Sequence, residues 1–397
     1  MFCCGDLKNL CSTIRYSGCS SSEANIASII DRRQFSMKIL GADIRKFTVL
    51  KQASFDFSPG VNVFIGKNGS GKSHLMKLLY AIIKSLPPDQ TTDRARIFQQ
   101  ELAKKLAGVF KPDGQAISRL VTRTTGRAKA TISVTTDSGK IAWRLTTLGN
   151  LHVDSVEASM SGPAIFLPSR ETLAMYEGFI QAYETRELSF DETYRDICVL
   201  LSGSPLLGPR LARARSLAEP LEKILGGSVR LTGNRFYLTS PEGNLEAHLV
   251  AEGHRKLASL THLVLNGSLL QNSVLFWDEP EANLNPRLVS VVAEILRKLA
   301  AFGIQIFVST HDYLLTSELS MAMEFSELFP TAESADIRFF GLSVSPDFTV
   351  QTGNTLADLT DNDLVGEFVD HYDRQSEFMR RLLNKQAGAS SVKGERK

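Results

Sequence analysis

Apolar residues along the chain change their spacing several times between Met37 and Ser320, and each change predicts a different element. Short apolar runs closed by turn residues recur at MKILGADIRKF from Met37, VNVFI at Val61–Ile65, AIFLP from Ala164, VLFW at Val274–Trp277 and Ile304–Val308. Such runs, bounded by polar or glycine punctuation, predict strands, and the unbroken ones predict strands covered on both faces. Between them the repeat turns helical in LMKLLYAIIKSL, which Pro87 and Pro88 stop. It does so again in VAEGHRKLASLTHLVLNG, where Leu257, Leu260 and Val264 share a face and Gly267 closes the end. KATISVTT and KIAWRLTT, separated by DSG, predict an antiparallel hairpin. From Phe166 to Leu225 the pattern is helical, with GSPLLGPR as a break. The whole reads as an α/β chain.

Two junctions between these elements carry chemistry. The strand at Val61–Ile65 runs into GKNGSGKSH, Gly66 to His74, and then into a helix. Gly66, four intervening residues and Gly71-Lys72-Ser73 form the spacing in which backbone N–H groups curl around phosphates, with the helix N-terminus adding its dipole. Gly66, Lys67, Asn68, Gly69, Ser70, Gly71, Lys72, Ser73 and His74 are therefore the expected nucleotide-binding residues. Lys72 is expected on the β- and γ-phosphates and the Ser73 hydroxyl on Mg²⁺. The second junction is VLFWDEPEANLNP, where a strand ends on Asp278 and Glu279. Two adjacent carboxylates at a buried strand end repel each other and lose solvation, so a cation or a substrate proton is needed to justify them. Beside the phosphate loop, Asp278 is expected to hold the Mg²⁺ and Glu279, turned elsewhere, to act as general base on water. STHDY after Ile304–Val308 puts Ser309, Thr310 and His311 at a strand's carboxyl edge, where open α/β sheets bind ligands; His311 is expected near the γ-phosphate.

Composition narrows the picture further. A chain of 397 residues with 43% hydrophobic content can bury a full core of two or three domain-sized units. No apolar run approaches the ~18 residues of a membrane span and no secretory leader opens the chain, so a cytoplasmic, membrane-free protein is expected. The net charge of +2 hides strong local imbalance. Residues 91–150 carry eleven bases against four acids, residues 312–373 thirteen acids against Arg338 alone, and residues 374–397 return to +5. Each block suits either a partner surface, DNA for the basic one, or a solvated face. Cys3, Cys4, Cys11 and Cys19 crowd the first twenty residues without a Cys-x-x-Cys or a nearby His, which favours reduced thiols over a zinc site.

The order GKNGSGKS, AEGHRK, LFWDEPEANLNP, STH resembles the ABC-type ATPase heads of the SMC, RecF and OLD group, over about Met37 to Leu319, and within it the stand-alone bacterial AAA-family ATPases of anti-phage defence. That resemblance implies a P-loop NTPase of ABC/SMC-head type: a mixed sheet core with an antiparallel β subdomain and a helical insert. It implies an ATP- and Mg²⁺-dependent hydrolase that forms a head-to-head homodimer, with Lys72, Ser73, Asp278, Glu279 and His311 of one protomer facing Gly253 of the other. Asn283 to Pro286 match the loop that crosses between the sites. Ala251 and Glu252 replace the family's serine and first glycine, so activation in trans is expected to be weaker or to lean on Arg255 and Lys256. No clear Q-loop glutamine follows AIFLP; Ser169 to Glu171 occupy its place. Residues 1–36 are expected as a disordered extension, 37–165 and 245–345 as the head with a basic β-hairpin region at 115–160, 166–244 as a mainly helical insert, and 346–397 as a helical tail. Absent heptads exclude long coiled-coil arms, and the chain after Ser320 is too short for an attached Toprim nuclease. The effector is then a separate protein. A transporter's ATP-binding subunit and a RecF-like repair ATPase are the alternatives.

Overall fold

The computed structural model describes residues 37–159, 162–186, 188–329, 335–344, 347–360, 366 and 372–382. The expectation for residues 1–36 lies outside them.

β1 (Ile39–Phe47) and β2 (Leu50–Asp56) alternate buried with exposed positions and pair antiparallel. β3 (Val61–Ile65), buried at every position, leads through the glycine loop into α1 (Lys72–Lys84). α2 (Arg94–Phe110) buries Phe98, Leu102, Leu106 and Val109, a helical stripe overlooked in a stretch dominated by its charges. The expected hairpin forms as β4 (Lys129–Thr136) and β5 (Gly139–Thr146), joined by Asp137-Ser138, and β6 (Leu151–Val156) extends it. β7 (Ala164–Leu167) precedes the helices α3 (Phe179–Thr185), α4 (Glu192–Leu201) and α5 (Pro209–Leu225). Then come the short strands β8 (Ser228–Thr232), β9 (Arg235–Ser240) and β10 (Gly243–Glu246). α6 (Glu252–Leu265), β11 (Val274–Asp278), α7 (Pro286–Ala301), β12 (Gln305–Thr310), α8 (Tyr313–Glu324), β13 (Ile337–Ser343) and β14 (Thr349–Gly353) complete the order.

These strands make three sheets. Five antiparallel strands run β2-β1-β4-β5-β6, three run β10-β9-β8, and the main sheet runs β14-β13-β3-β12-β11-β7, parallel except for its edge strand β14. Two segments differ from expectation. The insert at 166–244 holds the sheet β8–β10 besides its helices, and the stretch from 346 contributes β14 before the helical residues 372–382. Both strand groups are half-exposed and lack clean alternation, so their pattern is weak. The signal that does mark β8–β9 is Gly233-Asn234, whose φ values of 56° and 64° suit a tight hairpin turn.

The main sheet is covered on both faces, which is why its strands read as continuous apolar runs. One face carries a ladder of rings in strand order, Phe340, Phe64, Phe307, Phe276 and Phe166, with neighbouring centroids 5.0–6.3 Å apart. It packs with α1, α2 and the five-stranded sheet in one apolar core; Val63, Ile65, Trp277, Ile306 and Val308 belong to the other, beneath α6, α7 and α8. Buried Gln305 ties the sheets together: its Oε1 accepts from the Ile39 N–H at 2.8 Å, and its Nε2 donates to Ile39 O and Ser58 O, each at 2.8 Å. A charged network holds α1 to the insert. Lys77 Nζ lies 2.6 Å from Asp191 Oδ2, the Tyr80 hydroxyl donates to Asp196 Oδ2 at 2.6 Å, and Lys105 of α2 reaches Glu192 and Asp196 at 2.6 and 2.9 Å.

Candidate nucleotide-binding site

The loop between β3 and α1 takes its shape from glycine. Gly71 caps α1 at φ 99°, and a Cβ there would stand 2.7 Å from Val49 Cγ2; at Gly66, φ 156°, it would stand 2.3 Å from the Leu342 carbonyl. No other residue fits either place without a shift. Lys67, Asn68 and Gly69 are exposed on the loop's outer side, whereas the Ser70 hydroxyl is buried and has no hydrogen-bond partner among the described residues. Lys72 folds back over the loop, its Nζ donating to Gly66 O at 2.6 Å and Lys67 O at 3.2 Å. Burial draws its ammonium below the ordinary lysine range, against the opposing pull of Glu279, Asp278 and Glu281.

Parallel pairing carries the second junction to this loop. β12 lies between β3 and β11, with Ser309 beside Phe64 on one side and Asp278 on the other. The Ser73 hydroxyl donates to Asp278 Oδ1 at 2.9 Å, and the Ser309 hydroxyl donates to the same oxygen. Glu279 diverges from Asp278 because the strand has ended: it adopts φ 48°, rather than continuing strand alternation. Its N–H donates to Ser309 O at 3.0 Å, its carbonyl accepts from Lys256 Nζ at 3.2 Å, and its Oε1 lies 3.3 Å from His311 Nδ1. The structure thus brings together Lys72, Ser73, Asp278, Glu279 and His311.

It also adds a third carboxylate that sequence reasoning passed over. Glu281 is 7% exposed; its Oε1 accepts from the Thr310 hydroxyl at 2.7 Å, and its other oxygen is buried without a partner among the described residues. Burial pushes its carboxyl above the ordinary glutamate range, partly offset by the Thr310 hydrogen bond. The acid three residues past Asp278 in DEPE was its only sequence signal.

Gly253 lies in the first turn of α6, where a Cβ would meet Asn283 O and Leu284 Cδ2 at 2.8 Å each. Close packing against its own chain therefore accounts for this glycine. Glu252 accepts from Asn283 Nδ2 at 2.8 Å, and Asn285 caps α7 through Arg287 N–H. Arg255 and Lys256 are turned inward: Arg255 Nε lies 2.9 Å from Glu171 Oε1, and Lys256 reaches the Glu279 carbonyl. Both side chains are thus engaged within their own protomer. Ser169 to Glu171, in the Q-loop place, are linked to α6 by that ion pair.

Beside the loop opens a cavity of ≈ 610 Å³, walled by Val49, Phe110, Pro112, Val121 and Phe348, with Gly69 and His74 at its inner side and Lys51, Arg119 and Arg123 at its polar side. His74 stacks edge-on against Phe110 at 5.6 Å, and burial together with Lys77 pulls its ring below the ordinary histidine range. Two further clefts, of ≈ 610 and ≈ 670 Å³, carry Arg119, Arg123, Arg127, Lys129, Arg45 and Lys46.

A hydroxyl and a carboxylate converging at the mouth of a phosphate loop form the hard oxygen set that suits Mg²⁺, so Ser73 and Asp278 fit that ion. Among the described residues no helix is long and apolar enough to cross a membrane. Strand, glycine loop, helix and an acid-ended strand two places along the sheet define a P-loop NTPase fold. Residues 37–141 match the family model "AAA ATPase domain", and residues 168–317 match "AAA domain, putative AbiEii toxin, Type IV TA system". A curated relative, the DNA replication and repair protein RecF of Lactobacillus acidophilus, is 37% identical over 51 residues, 13% of this chain and 14% of that protein's length. Solved structures similar to the chain include an SMC head bound to the C-winged helix domain of ScpA, with 15% identity and a TM-score of 0.49 over 80% of this chain and 98% of that one. The SMC head domain from Thermotoga maritima gives 13% identity and a TM-score of 0.42 over 79% and 98%.

Proposed function

We propose that the chain is an ATP hydrolase whose turnover opens and closes a head-to-head dimer and so controls a separate effector or a DNA substrate, in anti-phage defence. The observation that carries this is the 2.9 Å hydrogen bond from Ser73 to Asp278, which joins two junctions 205 residues apart. The loop amides and Lys72 bind the triphosphate, and the cavity beside Gly69 receives the nucleoside end. Bound Mg²⁺, held by Ser73 and Asp278, supplies charge neutralisation at the phosphates. Glu279 takes the proton of the attacking water, and His311, on its carboxylate, faces the γ-phosphate. Gly253 of a second copy completes the site in trans. The RecF match and the cation-lined clefts support DNA as a partner. The alternatives are a transporter's ATP-binding subunit, which co-purification with a permease would favour, and a RecF-like repair ATPase.

Two substitutions separate binding from chemistry. Lys72→Ala is expected to abolish ATP binding by calorimetry. Glu279→Gln is expected to retain it while turnover falls about 100-fold or more. Equal turnover in Glu279→Gln and the unaltered chain would refute the general-base role.

A further inference from the structure

The site holds one buried acid that the proposed hydrolysis does not use. Glu281 follows the two active carboxylates in the turn after β11, with its side chain 5% exposed. Its Oε1 accepts from the Thr310 hydroxyl at 2.7 Å and from the His311 N–H at 3.4 Å, and lies 3.9 Å from His311 Nδ1. Its second oxygen is buried and has no partner among the described residues, an arrangement that costs stability. Lys256, itself buried, has Glu281 as its leading electrostatic partner, while the charges that act on Glu281 are those of Asp312 and His311. Lys256 in turn donates to the Glu279 carbonyl. Glu281 therefore stands between the end of β12 and the turn that carries Glu279.

We infer that Glu281 is a positioning residue for hydrolysis, resting on the function proposed above. β12 ends at Thr310, so His311 is the first residue past the ladder of strand hydrogen bonds and the sheet itself does not set the direction of its ring. Glu281 fixes the backbone there by accepting from the Thr310 hydroxyl and the His311 backbone N–H, and its Oε1 faces the ring 3.9 Å from Nδ1. The ring is thereby held against Glu279 at 3.3 Å, the separation at which it orients that carboxylate toward water. A carboxylate kept buried with one oxygen unsatisfied is a poor choice for stability alone, since an apolar side chain of similar size would avoid the penalty.

The test compares Glu281→Ala and Glu281→Gln in the full chain. Gln keeps the acceptor for Thr310 and His311, so it is expected to hold kcat within about threefold of the parent, whereas Ala lowers kcat at least tenfold with the Kd for ATP unchanged within threefold. In ¹⁵N spectra the ring signals of His311, identified by their loss in His311→Gln, shift in Glu281→Ala and return in Glu281→Gln. That second readout needs no turnover, so a chain that binds ATP without hydrolysing it would sink the proposed activity while still deciding this one. Unmoved His311 signals in Glu281→Ala overturn the inference. So does a Gln variant as slow as the Ala variant, or a loss of kcat and ATP affinity in step with a lowered melting temperature.

Discussion

At the scale of single residues, the charged and titratable side chains of this protein are governed by burial. His262 in α6 is 1% exposed, its Nε2 donates to the Leu201 carbonyl at 3.0 Å, and burial pulls its pKa below the usual 6.5. His74 is lowered from the same value. Both rings are thus neutral in the folded state at a pH where the unfolded chain already takes up protons. As pH falls through 6.5 toward the folded values, the unfolded state binds more protons and stability is lost. The melting temperature is expected to be lower at about pH 5.5 than at about pH 7.5, and His262→Gln should shrink the difference. A melting temperature flat across that window would contradict the assignment. The thiol of Cys198, fully buried in α4, is pushed up to about 12 by burial and should resist alkylation in the native protein, as peptide mapping after labelling would read.

The elements owe their placement to a few interior contacts. Phe307 on β12 stacks on Phe276 at 5.0 Å and on Phe64 at 6.2 Å, and meets Phe57 edge-on at 5.1 Å. Truncation to Ala removes the middle rung of the ladder, on the very strand that ends in Ser309 and Thr310. The expected cost is about 3–5 kcal/mol, read from the shift of the urea midpoint at constant slope. A shift equivalent to less than about 1 kcal/mol would show that the ladder does not hold the sheet. At this scale the sequence was readable where burial is total or alternation clean, as in β3, β4, β5 and β11. It was not readable in β8, β9 and β14, whose half-exposed residues carry neither signal.

For the whole molecule, the proposed dimer makes a mass prediction. Glu279→Gln with ATP and Mg²⁺ should double the light-scattering mass from 43.7 kDa, and Lys72→Ala should not. A monomer under every nucleotide condition would exclude the clasp. DNA binding, where present, should weaken steeply with salt and further on replacing Arg119, Arg123 and Arg127. The three arginines line the two clefts beside the ends of β1, β4 and β5, where Arg119 already has Asp113 at 3.5 Å as a competing partner. A salt-insensitive interaction would place the contact elsewhere.

Local pattern alone determined the strand–glycine loop–helix unit, the DSG hairpin and the α6 helix, and marked Lys72, Ser73, Asp278 and Glu279 as site candidates, because each depends on spacing within one short stretch. Tertiary structure decided what lies between stretches. It set Glu279 at φ 48° with His311 beside it, turned Arg255 and Lys256 into their own protomer, and buried Glu281 under Thr310. These outcomes follow from the order of strands in the sheet and the packing of α6 against the turn after β11. Such pairings arise between segments far apart in the chain, and no local repeat encodes them.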